Sequence, residues 1–379
     1  MKNNIRFFLK LLLLFTITVH AEPIKNVWDV LQGQLKLNHE ITHPEVQQQL
    51  RWLIAHPGYL QQFSRSEPYI YHIINEIQKR NLPGELALLP MIESSYDPFA
   101  YSGAGAAGLW QIMPGTANDL GLKQNWWLDA RRSIGLSTSA ALNYLTHLHD
   151  YFKGNWTLAI AAYDAGDKTV SNAIKKTGRS VNTVQFWQLQ LPHETKKYIP
   201  RLLALAEIIR NPQRFKVRLP YIPHIPYFGE VRINNQIDLN RAAKLAEMSY
   251  NDLIKLNPEY NRWLTTPNTP FKLLIPLKKI SKFYYNLYVM HRGIPEKNIA
   301  NRAIKPPPIN INTYKVLHIV QPNETLQFLS QKYQVSSTDI RRWNNIANNT
   351  TLNKNQQLII WRKRSNLTLN AHANHRYMM

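Results

Sequence analysis

The amino-acid sequence predicts an α+β multidomain protein, in which a mostly α-helical domain precedes two small βααβ modules. Helical periodicity, without the alternation of a sheet, runs from about Val27 to Arg210. From about Leu219 the pattern changes to short strand-like runs that flank short helical pieces, and this layout occurs twice. The 379 residues are enough for two or three domains with sizeable hydrophobic cores.

Four helices are predicted in the first domain, which is assigned to residues 22–215 and includes an N-terminal helical extension. Ser66 is the expected N-cap of the first helix. An apolar stripe at i, i+3, i+4 and i+7 defines that helix: Ile70, Ile73, Ile74 and Ile77. Asn81, Pro83 and Gly84 are expected to end that helix. The other three helices are predicted over residues 85–95, 139–152 and 194–210. One face of the last is apolar: Leu202, Leu203, Ala206 and Ile209.

The two βααβ modules are predicted after an extended, proline-containing connector. The connector and the first module are assigned to residues 216–292, with the strand–helix–helix–strand pattern inside 227–277. A proline-containing linker is predicted at 293–313, since three consecutive prolines stiffen it. The second module is assigned to residues 314–362, and a basic tail to 363–379.

The first 21 residues are expected to be a secretory signal peptide. Lys2, Arg6 and Lys10 give it a positive start, an apolar run follows, and Ala21 fits the position before a cleavage site. The apolar run is shorter than the ~20 residues that a membrane-spanning helix needs. Cleavage is therefore favoured over a membrane anchor, and we expect an exported, soluble mature protein without an integral membrane span.

Composition and charge narrow the possible partners. The sequence has no cysteine, which excludes disulfides, thiolate metal sites, iron–sulfur clusters and a cysteine nucleophile. The formal net charge is +22, of which +17 lies in residues 211–379. This charge favours a polyanionic surface such as a bacterial envelope, and the export signal argues against nucleic acid. A well-solvated basic surface is the alternative.

Glu93 is the candidate catalytic acid. On the helix predicted from Glu85, it shares one apolar face with Leu86, Leu89 and Pro90. Burial disfavours a charged carboxylate and raises its pKa, so such a group can keep a proton and donate it to a leaving oxygen. The alternative is a glutamate that reaches solvent at the helix end or pairs with a basic group.

A glycine-rich run follows the candidate acid. It reads SGAGAAGLWQIMPGTA from Ser102 and includes Trp110 and Gln111, and its glycines let backbone approach a ligand closely. Trp126 and Trp127 follow as an adjacent pair. Paired tryptophans alone are more often core residues, but aromatic faces and amide groups around one acid predict a carbohydrate site.

The segment ESSYDPFAYSGAGAAGLWQIMPGTA at 93–117 resembles the signature of family 1 lytic transglycosylases. AAYDAG at 161–166 and HETKKYIP at 193–200 match two later motifs of that family, while NWWLDARR at 125–132 and LNPEYNRW at 256–263 point to its membrane-bound murein transglycosylase D subfamily. The resemblance implies a lysozyme-like helical domain. The last βααβ module resembles a LysM domain, and the first resembles the degenerate LysM-like module of the same subfamily.

The resemblance implies an activity and assigns roles to six positions. Glu93 takes the position of the catalytic acid, which acts first as general acid and then as base. Five further positions match residues of the substrate cleft: Ser102, Gln111, Met113, Tyr163 and Tyr198. The implied reaction cleaves the β-1,4 bond between N-acetylmuramic acid and N-acetylglucosamine in peptidoglycan glycan strands. It leaves a 1,6-anhydromuramoyl end and needs no metal or cofactor.

Two features depart from the family pattern. The lipid-anchoring cysteine of many relatives is absent, so a periplasmic, wall-associated monomer that is not a lipoprotein is expected. Asp164 stands where asparagine is usual. It is expected to cap a turn as asparagine would, or else to add a negative charge that raises the pKa of Glu93.

Two other functions remain open from the sequence. A hydrolytic muramidase on the same fold would leave a reducing end, and a non-catalytic wall-binding protein would use the LysM modules alone. The intact Glu93, Ser102 and Gln111 argue against the second of these.

Overall fold

The structure is a computed structural model that describes residues 24–233, 235–267, 271–293, 313–344, 346–347 and 350–363. The predicted signal peptide at 1–21 lies outside the described residues. So do nearly all of the predicted linker at 293–313 and of the predicted tail at 363–379.

Residues 24–215 form a helical domain, whose helices α1 to α10 are joined by loops and by short 3₁₀ segments at Gln62–Ser66, Gly84–Leu88 and Phe186–Gln188. The helices are α1 (Val27–Gln32), α2 (Pro44–Ala55), α3 (Pro57–Gln61), α4 (Ile70–Lys79), α5 (Leu89–Ser94), α6 (Pro114–Asp119), α7 (Ile134–Tyr151), α8 (Trp156–Ala165), α9 (Asp167–Lys176) and α10 (His193–Arg210).

Helix α10 organises the core of this domain, because it packs against α2, α5 and α8. Its predicted apolar face is confirmed, since Leu202, Leu203, Ala206 and Ile209 are all buried. The apolar stripe predicted for α4 is confirmed in the same way. Removal of these aliphatic side chains from water stabilises each helix by about 1.5–3 kcal/mol per buried residue.

The helix predicted over residues 85–95 is interrupted. A 3₁₀ segment covers Gly84–Leu88, and α5 begins only at Leu89. Pro90 is the physical reason, because proline lacks an N–H group and its ring clashes with the carbonyl four residues earlier. Pro90 is tolerated in the first turn of a helix, which is where α5 places it.

The predicted N-cap at Ser66 is wrong. The Ser66 hydroxyl donates to the Phe63 carbonyl at 2.7 Å, and α4 begins four residues later at Ile70. The predicted end of this helix is confirmed, because Asn81 takes a left-handed φ of 53° just after it.

A buried charge network joins the N-terminal loop to α10. Nε2 of His39 lies 3.0 Å from Glu85 Oε1, and Nδ1 lies 3.0 Å from Glu207 Oε2. Both ring nitrogens of His39 thus have a carboxylate oxygen at hydrogen-bond distance. Burial opposes the ionisation of Glu85, but hydrogen bonds from His39 and from the Leu37 and Lys36 N–H groups outweigh it and lower the pKa of Glu85.

Two βααβ modules follow the helical domain, as predicted. The middle module contains β1 (Phe228–Ile233), α11 (Leu239–Leu245), α12 (Tyr250–Leu256), β2 (Phe271–Pro276) and an additional helix, α13 (Leu277–Gly293). The last module contains β3 (Thr313–Ile319), α14 (Leu326–Tyr333), α15 (Ser337–Asn344) and β4 (Gln357–Lys363). The strands pair antiparallel in each, with Val231 opposite Leu273 and Val316 opposite Ile360.

The same asparagine contact recurs in both modules. Asn257, after α12, exchanges two hydrogen bonds of 2.8 Å with the backbone of Leu274 in β2. Asn344, at the end of α15, exchanges bonds of 2.6 and 2.7 Å with the backbone of Ile359 in β4. This shared contact ties the second helix to the second strand, and it supports the sequence-based prediction of a repeat.

Helix α13 was not predicted. Ile280, Phe283, Leu287 and Met290 repeat at helical spacing and pack against the core of the middle module. Among the residues described, no helix has the length and apolarity to cross a membrane.

Candidate active site

Glu93 lies in the last turn of α5, which ends directly after it. Ser95 and Tyr96 take left-handed φ values of 51° and 57°, a conformation that breaks the helix. The buried Tyr96 hydroxyl donates to the Ala87 carbonyl at 2.6 Å, and the Ser94 hydroxyl lies 3.0 Å from the Leu109 carbonyl. These bonds hold the end of α5, so Glu93 occupies a defined position.

The Glu93 carboxylate meets a tyrosine from α10. The Tyr198 hydroxyl donates to Glu93 Oε1 at 2.7 Å, although the two residues are 105 positions apart in the sequence. Tyr198 is 6% exposed, whereas Glu93 is only partly buried. The predicted apolar face therefore holds the backbone of α5, while Glu93 itself remains partly exposed.

Tyr163, on α8, donates its hydroxyl to the Trp110 carbonyl at 2.7 Å. Burial raises the pKa of both Tyr163 and Tyr198 well above the ordinary value of 10.0, and the negative charge of Glu93 adds to this at each. Both phenols therefore stay protonated at physiological pH and remain hydrogen-bond donors.

Asp164 lies in the last turn of α8, and its charge also raises the pKa of Tyr198. The helix ends at Gly166, whose N–H group donates to the Ala162 carbonyl. The structure thus places Asp164 electrostatically close to Tyr198, which donates to Glu93, and both the charge hypothesis and the turn-capping role stay predictions. Asp97 stabilises a turn, because its Oδ1 accepts the Phe99 N–H at 2.9 Å.

The glycine-rich run forms a compact loop, residues 100–113, which we call the substrate loop. Ser102 Oγ accepts the Ala106 N–H at 2.9 Å and so closes its first turn. Gln111 has a left-handed φ of 46°, and its Nε2 donates to the carbonyls of Ala100 and Gly108. These hydrogen bonds of Ser102 and Gln111 lie within the loop, and they fix its shape.

Met113 ends the substrate loop and is 40% exposed, just before α6. Exposure of a large apolar side chain at this position suits contact with a ligand. The structure thus joins Tyr198 to Glu93 by a hydrogen bond, and it places Tyr163 near enough for the charge of Glu93 to raise the pKa of its phenol. It places Ser102, Gln111 and Met113 on the adjoining loop.

The sequence analysis did not predict a role for Arg131, whose hydrogen bonds support the substrate loop. Arg131 is fully buried, and its Nη1 donates to the Gly105 carbonyl at 2.6 Å and to the Ile112 carbonyl at 3.3 Å. Asp129 accepts from its Nε and Nη2 at 2.9 and 2.7 Å. Burial opposes ionisation of Asp129, but this bidentate pair outweighs it and lowers the pKa of the carboxyl.

Gly108 shows how closely the loop packs on this support. Its φ is +80°, and a Cβ atom there would lie 2.4 Å from the Arg131 carbonyl oxygen. The NWWLDARR motif contains the signal that could have revealed Arg131, since an Asp-x-Arg pair beside a glycine-rich loop is suited to such bracing. Among the described residues, no group of three or more His, Asp or Glu side chains is arranged to hold a metal ion.

Comparison with known proteins gives three family matches. Residues 71–185 match the transglycosylase SLT domain, residues 227–291 match the LysM-like domain of lytic transglycosylase MltD, and residues 318–361 match the LysM domain. The membrane-bound lytic murein transglycosylase D of Escherichia coli K12 is 33% identical over 326 residues, which cover 86% of this chain and 70% of that protein. The chain belongs to the lytic murein transglycosylase family.

Other lytic transglycosylases match over shorter regions. The soluble lytic murein transglycosylase of Escherichia coli K12 is 32% identical over 120 residues, which are 30% of this chain and 18% of that protein. The solved structure of the 70 kDa soluble lytic transglycosylase of Escherichia coli is 20% identical, with a TM-score of 0.32, over 44% of this chain and 30% of that one. By its family matches, this lytic transglycosylase combines an SLT domain with two LysM-type modules, and the two modules agree with the prediction.

Proposed function

We propose that Glu93 is the single acid–base residue of a lytic transglycosylase that leaves 1,6-anhydromuramoyl ends on peptidoglycan. The contact that carries this proposal is the 2.7 Å hydrogen bond from Tyr198 to Glu93 Oε1. Because the phenol occupies one carboxyl oxygen, the proton of the acid is directed to the other oxygen, Oε2. Glu93 is partly exposed, and Ser94 directly after it contacts the Leu109 carbonyl of the substrate loop.

In the first step, protonated Glu93 donates to the glycosidic oxygen between N-acetylmuramic acid and N-acetylglucosamine, and the bond from C1 to that oxygen breaks. Tyr198 stabilises the carboxylate that forms, because its hydroxyl already faces Oε1. The 2-acetamido group of the muramic acid stabilises the positive charge that develops at C1.

In the second step, the Glu93 carboxylate takes the proton of the 6-hydroxyl of the same muramic acid, and that oxygen bonds to C1. The proton balance closes, since Glu93 is again protonated and no water is consumed. Attack within one sugar gains from proximity. Only one carboxylate is required, unlike the pair used by ordinary glycosidases.

The substrate loop is proposed to bind the glycan through Ser102, Gln111 and Met113. Gln111 Nε2 already donates to two carbonyl groups within the loop. The oxygen of the same side-chain amide, Oε1, is therefore the group proposed to accept a hydrogen bond from the sugar. The exposed Met113 side chain supplies an apolar surface for a sugar face. Tyr163 holds the Trp110 carbonyl, which fixes the loop against α8.

The last module is proposed to hold the enzyme on peptidoglycan, which a LysM domain suits. The action of the protein is proposed to lie in the periplasm after removal of residues 1–21. The basic charge of residues 211–379 supports attraction to an anionic wall.

Mass spectrometry of the products from purified peptidoglycan tests the reaction. Anhydro ends are one water lighter than hydrolytic products. Glu93→Gln is expected to keep glycan binding and abolish cleavage, because the amide cannot donate or accept the catalytic proton. Glu45→Gln, at an exposed position of α2, is the matched control and should cleave normally. Reducing-end products, or cleavage by Glu93→Gln, would contradict the proposal.

A further inference from the structure

The middle module contacts the helical domain along a short backbone pairing. The Asp129 N–H donates to the Glu259 carbonyl at 2.8 Å, and the Asn261 N–H donates to the Trp127 carbonyl at 2.8 Å. Between them, Leu128 and Tyr260 form an antiparallel bridge. We call residues 125–132 the support segment, and residues 259–261 the docking edge of the middle module.

Asn261 adds side-chain bonds to this pairing. Its Nδ2 donates to the Asn125 carbonyl at 2.8 Å, and its Oδ1 accepts from Nη2 of Arg132. Arg132 is 4% exposed, so this amide oxygen is a partner for a buried cation. Beside it, the Arg262 guanidinium lies 3.4 Å from the ring centroid of Trp126, a close cation–π contact.

The support segment in turn holds the substrate loop. Asp129 and Arg131 form a bidentate pair, and Arg131 donates to the carbonyls of Gly105 and Ile112. Ile112 follows Gln111, whose left-handed φ of 46° is strained for a residue with a Cβ atom. Such a conformation persists only where the surroundings fix it. Arg131 is one of the groups that do so.

The start of the substrate loop is fixed by the same module. Phe99, directly before the loop, is 4% exposed and belongs to the hydrophobic core of the middle module, with Leu253 and Phe283. Tyr69 of the helical domain donates to the Lys255 carbonyl at 3.1 Å nearby. Both ends of the loop therefore depend on the middle module, one through Phe99 and the other through Arg131.

We propose that the middle module is a positioning element of the active site, and that Asn261 acts through Arg132 and the support segment to set the geometry of the substrate loop. The module then controls turnover, in addition to any binding of the wall. This inference rests on the proposed function, because it takes Ser102 and Gln111 as substrate contacts.

The test compares two asparagine variants of the middle module in the full-length protein. Asn261→Ala removes the contacts to Arg132 and to the Asn125 carbonyl. Asn286→Ala is the matched control, because Asn286 Nδ2 donates within the module, to the Leu245 carbonyl at 2.9 Å. Each variant is assayed for kcat and KM on soluble glycan fragments and for pelleting with intact sacculi.

For Asn261→Ala we expect a loss of kcat on the order of tenfold, since a displacement of about 1 Å can reduce turnover strongly. Sacculus binding should be unchanged, and Asn286→Ala should keep the wild-type kcat below its melting temperature. Asn261→Asp keeps the acceptor for Arg132 and loses the donor to Asn125, so its kcat should lie between the two. If Asn261→Ala does not fold, Asn261→Asp alone carries the comparison with Asn286→Ala.

Three results would overturn the inference. One is a kcat for Asn261→Ala equal to that of Asn286→Ala. The second is a loss of sacculus binding with normal kcat on fragments, which would show that the module binds glycan and does not position the active site. The third is a kcat for Asn261→Asp equal to that of Asn261→Ala, which would show that Asn261 does not act through Arg132. Failure of the proposed function is a separate outcome, since the wild-type protein would then yield no anhydro ends.

Discussion

Replacing Tyr198 with phenylalanine removes the hydroxyl that faces Glu93 and keeps the ring that packs in the core. The lost contact is the 2.7 Å hydrogen bond to Glu93 Oε1. Since Tyr198 is 6% exposed, no bulk water is positioned to replace the phenol directly. We expect Tyr198→Phe to fold, to bind glycan and to cleave it slowly.

The expected loss of rate can be calculated from the hydrogen bond to the charged acceptor, the Glu93 carboxylate. A hydrogen bond to a charged group contributes about 1.5–3 kcal/mol, and each 1.36 kcal/mol changes a rate about tenfold. If the bond is fully made only when Glu93 is ionised, its loss slows proton donation by roughly 10- to 100-fold. KM should change little, because the hydroxyl that is removed donates to the acid.

The pH profile provides an independent readout. Without a donor to the carboxylate, Glu93 should keep its proton to a higher pH, so the alkaline limb of the rate profile should move upward. The same hydrogen-bond energy corresponds to a shift of about one to two pH units. The raised pKa of Tyr198 means that the wild-type phenol stays protonated, and so remains a donor, in this range.

The assay is the rate of anhydro-end formation from soluble glycan fragments as a function of pH. Tyr163→Phe is the matched control, because its hydroxyl donates at 2.7 Å to a neutral carbonyl, that of Trp110. A neutral bond contributes about 1 kcal/mol, so its variant should lose less rate and keep the wild-type limb. A folded Tyr198→Phe protein with wild-type kcat and an unshifted alkaline limb would refute the reasoning.

Three further predictions follow from the charges near this site and in the core. Asp164→Asn removes a negative charge that acts on Tyr198. If, as hypothesised, that charge also raises the pKa of Glu93, the alkaline limb should move to lower pH, opposite to Tyr198→Phe, and an unmoved limb would eliminate the charge hypothesis. His39→Ala leaves two buried carboxylates without their shared partner and should lower the free energy of unfolding by about 3–5 kcal/mol in urea titrations. The exposed pair Lys272–Glu230 is the control, since its removal should change that free energy by less than about 1 kcal/mol, and equal effects would contradict the reasoning. Because the pKa of Glu85 is lowered on folding, its contribution to stability should be complete above the ordinary value of 4.5 and lost as the pH falls through the lower folded value, which acid titration of the wild-type protein would show.

The middle module gives a physical reason why this family member carries a LysM-type unit that is fused closely to the helical domain. Phe99 lies in its core, and the docking edge pairs with the support segment. Two modules of one fold can therefore serve different ends, because the middle module pairs directly with the support segment of the helical domain.

Several features of the fold were readable in the sequence. The i, i+3, i+4, i+7 stripe of α4 and the apolar face of α10 predicted buried helical surfaces, and both are buried in the structure. Pro90 also indicates that the predicted helix is interrupted, but the regular apolar spacing around it favoured one continuous helix. Helix α13 was missed despite a regular apolar stripe, because short strand-like runs dominated the interpretation of that region.

The sequence by itself determined what depends on local spacing and on residue type. It located Glu93 beside a glycine-rich loop, predicted the two βααβ modules, and carried the resemblance that the family matches confirm. These features depend on neighbours within a few residues, which hydrophobic period, turn residues and short motifs record directly.

Only the tertiary structure decided which distant groups meet. Tyr198 reaches Glu93 across 105 residues, and Asn261 reaches Arg132 across 129. No short sequence pattern predicts either pair. Tyr198 meets Glu93 because α10 packs against α5, and Asn261 meets Arg132 because the middle module packs against the helical domain. The sequence alone thus indicates the candidate acid, whereas the groups proposed to position it and its substrate loop come together only in the folded chain.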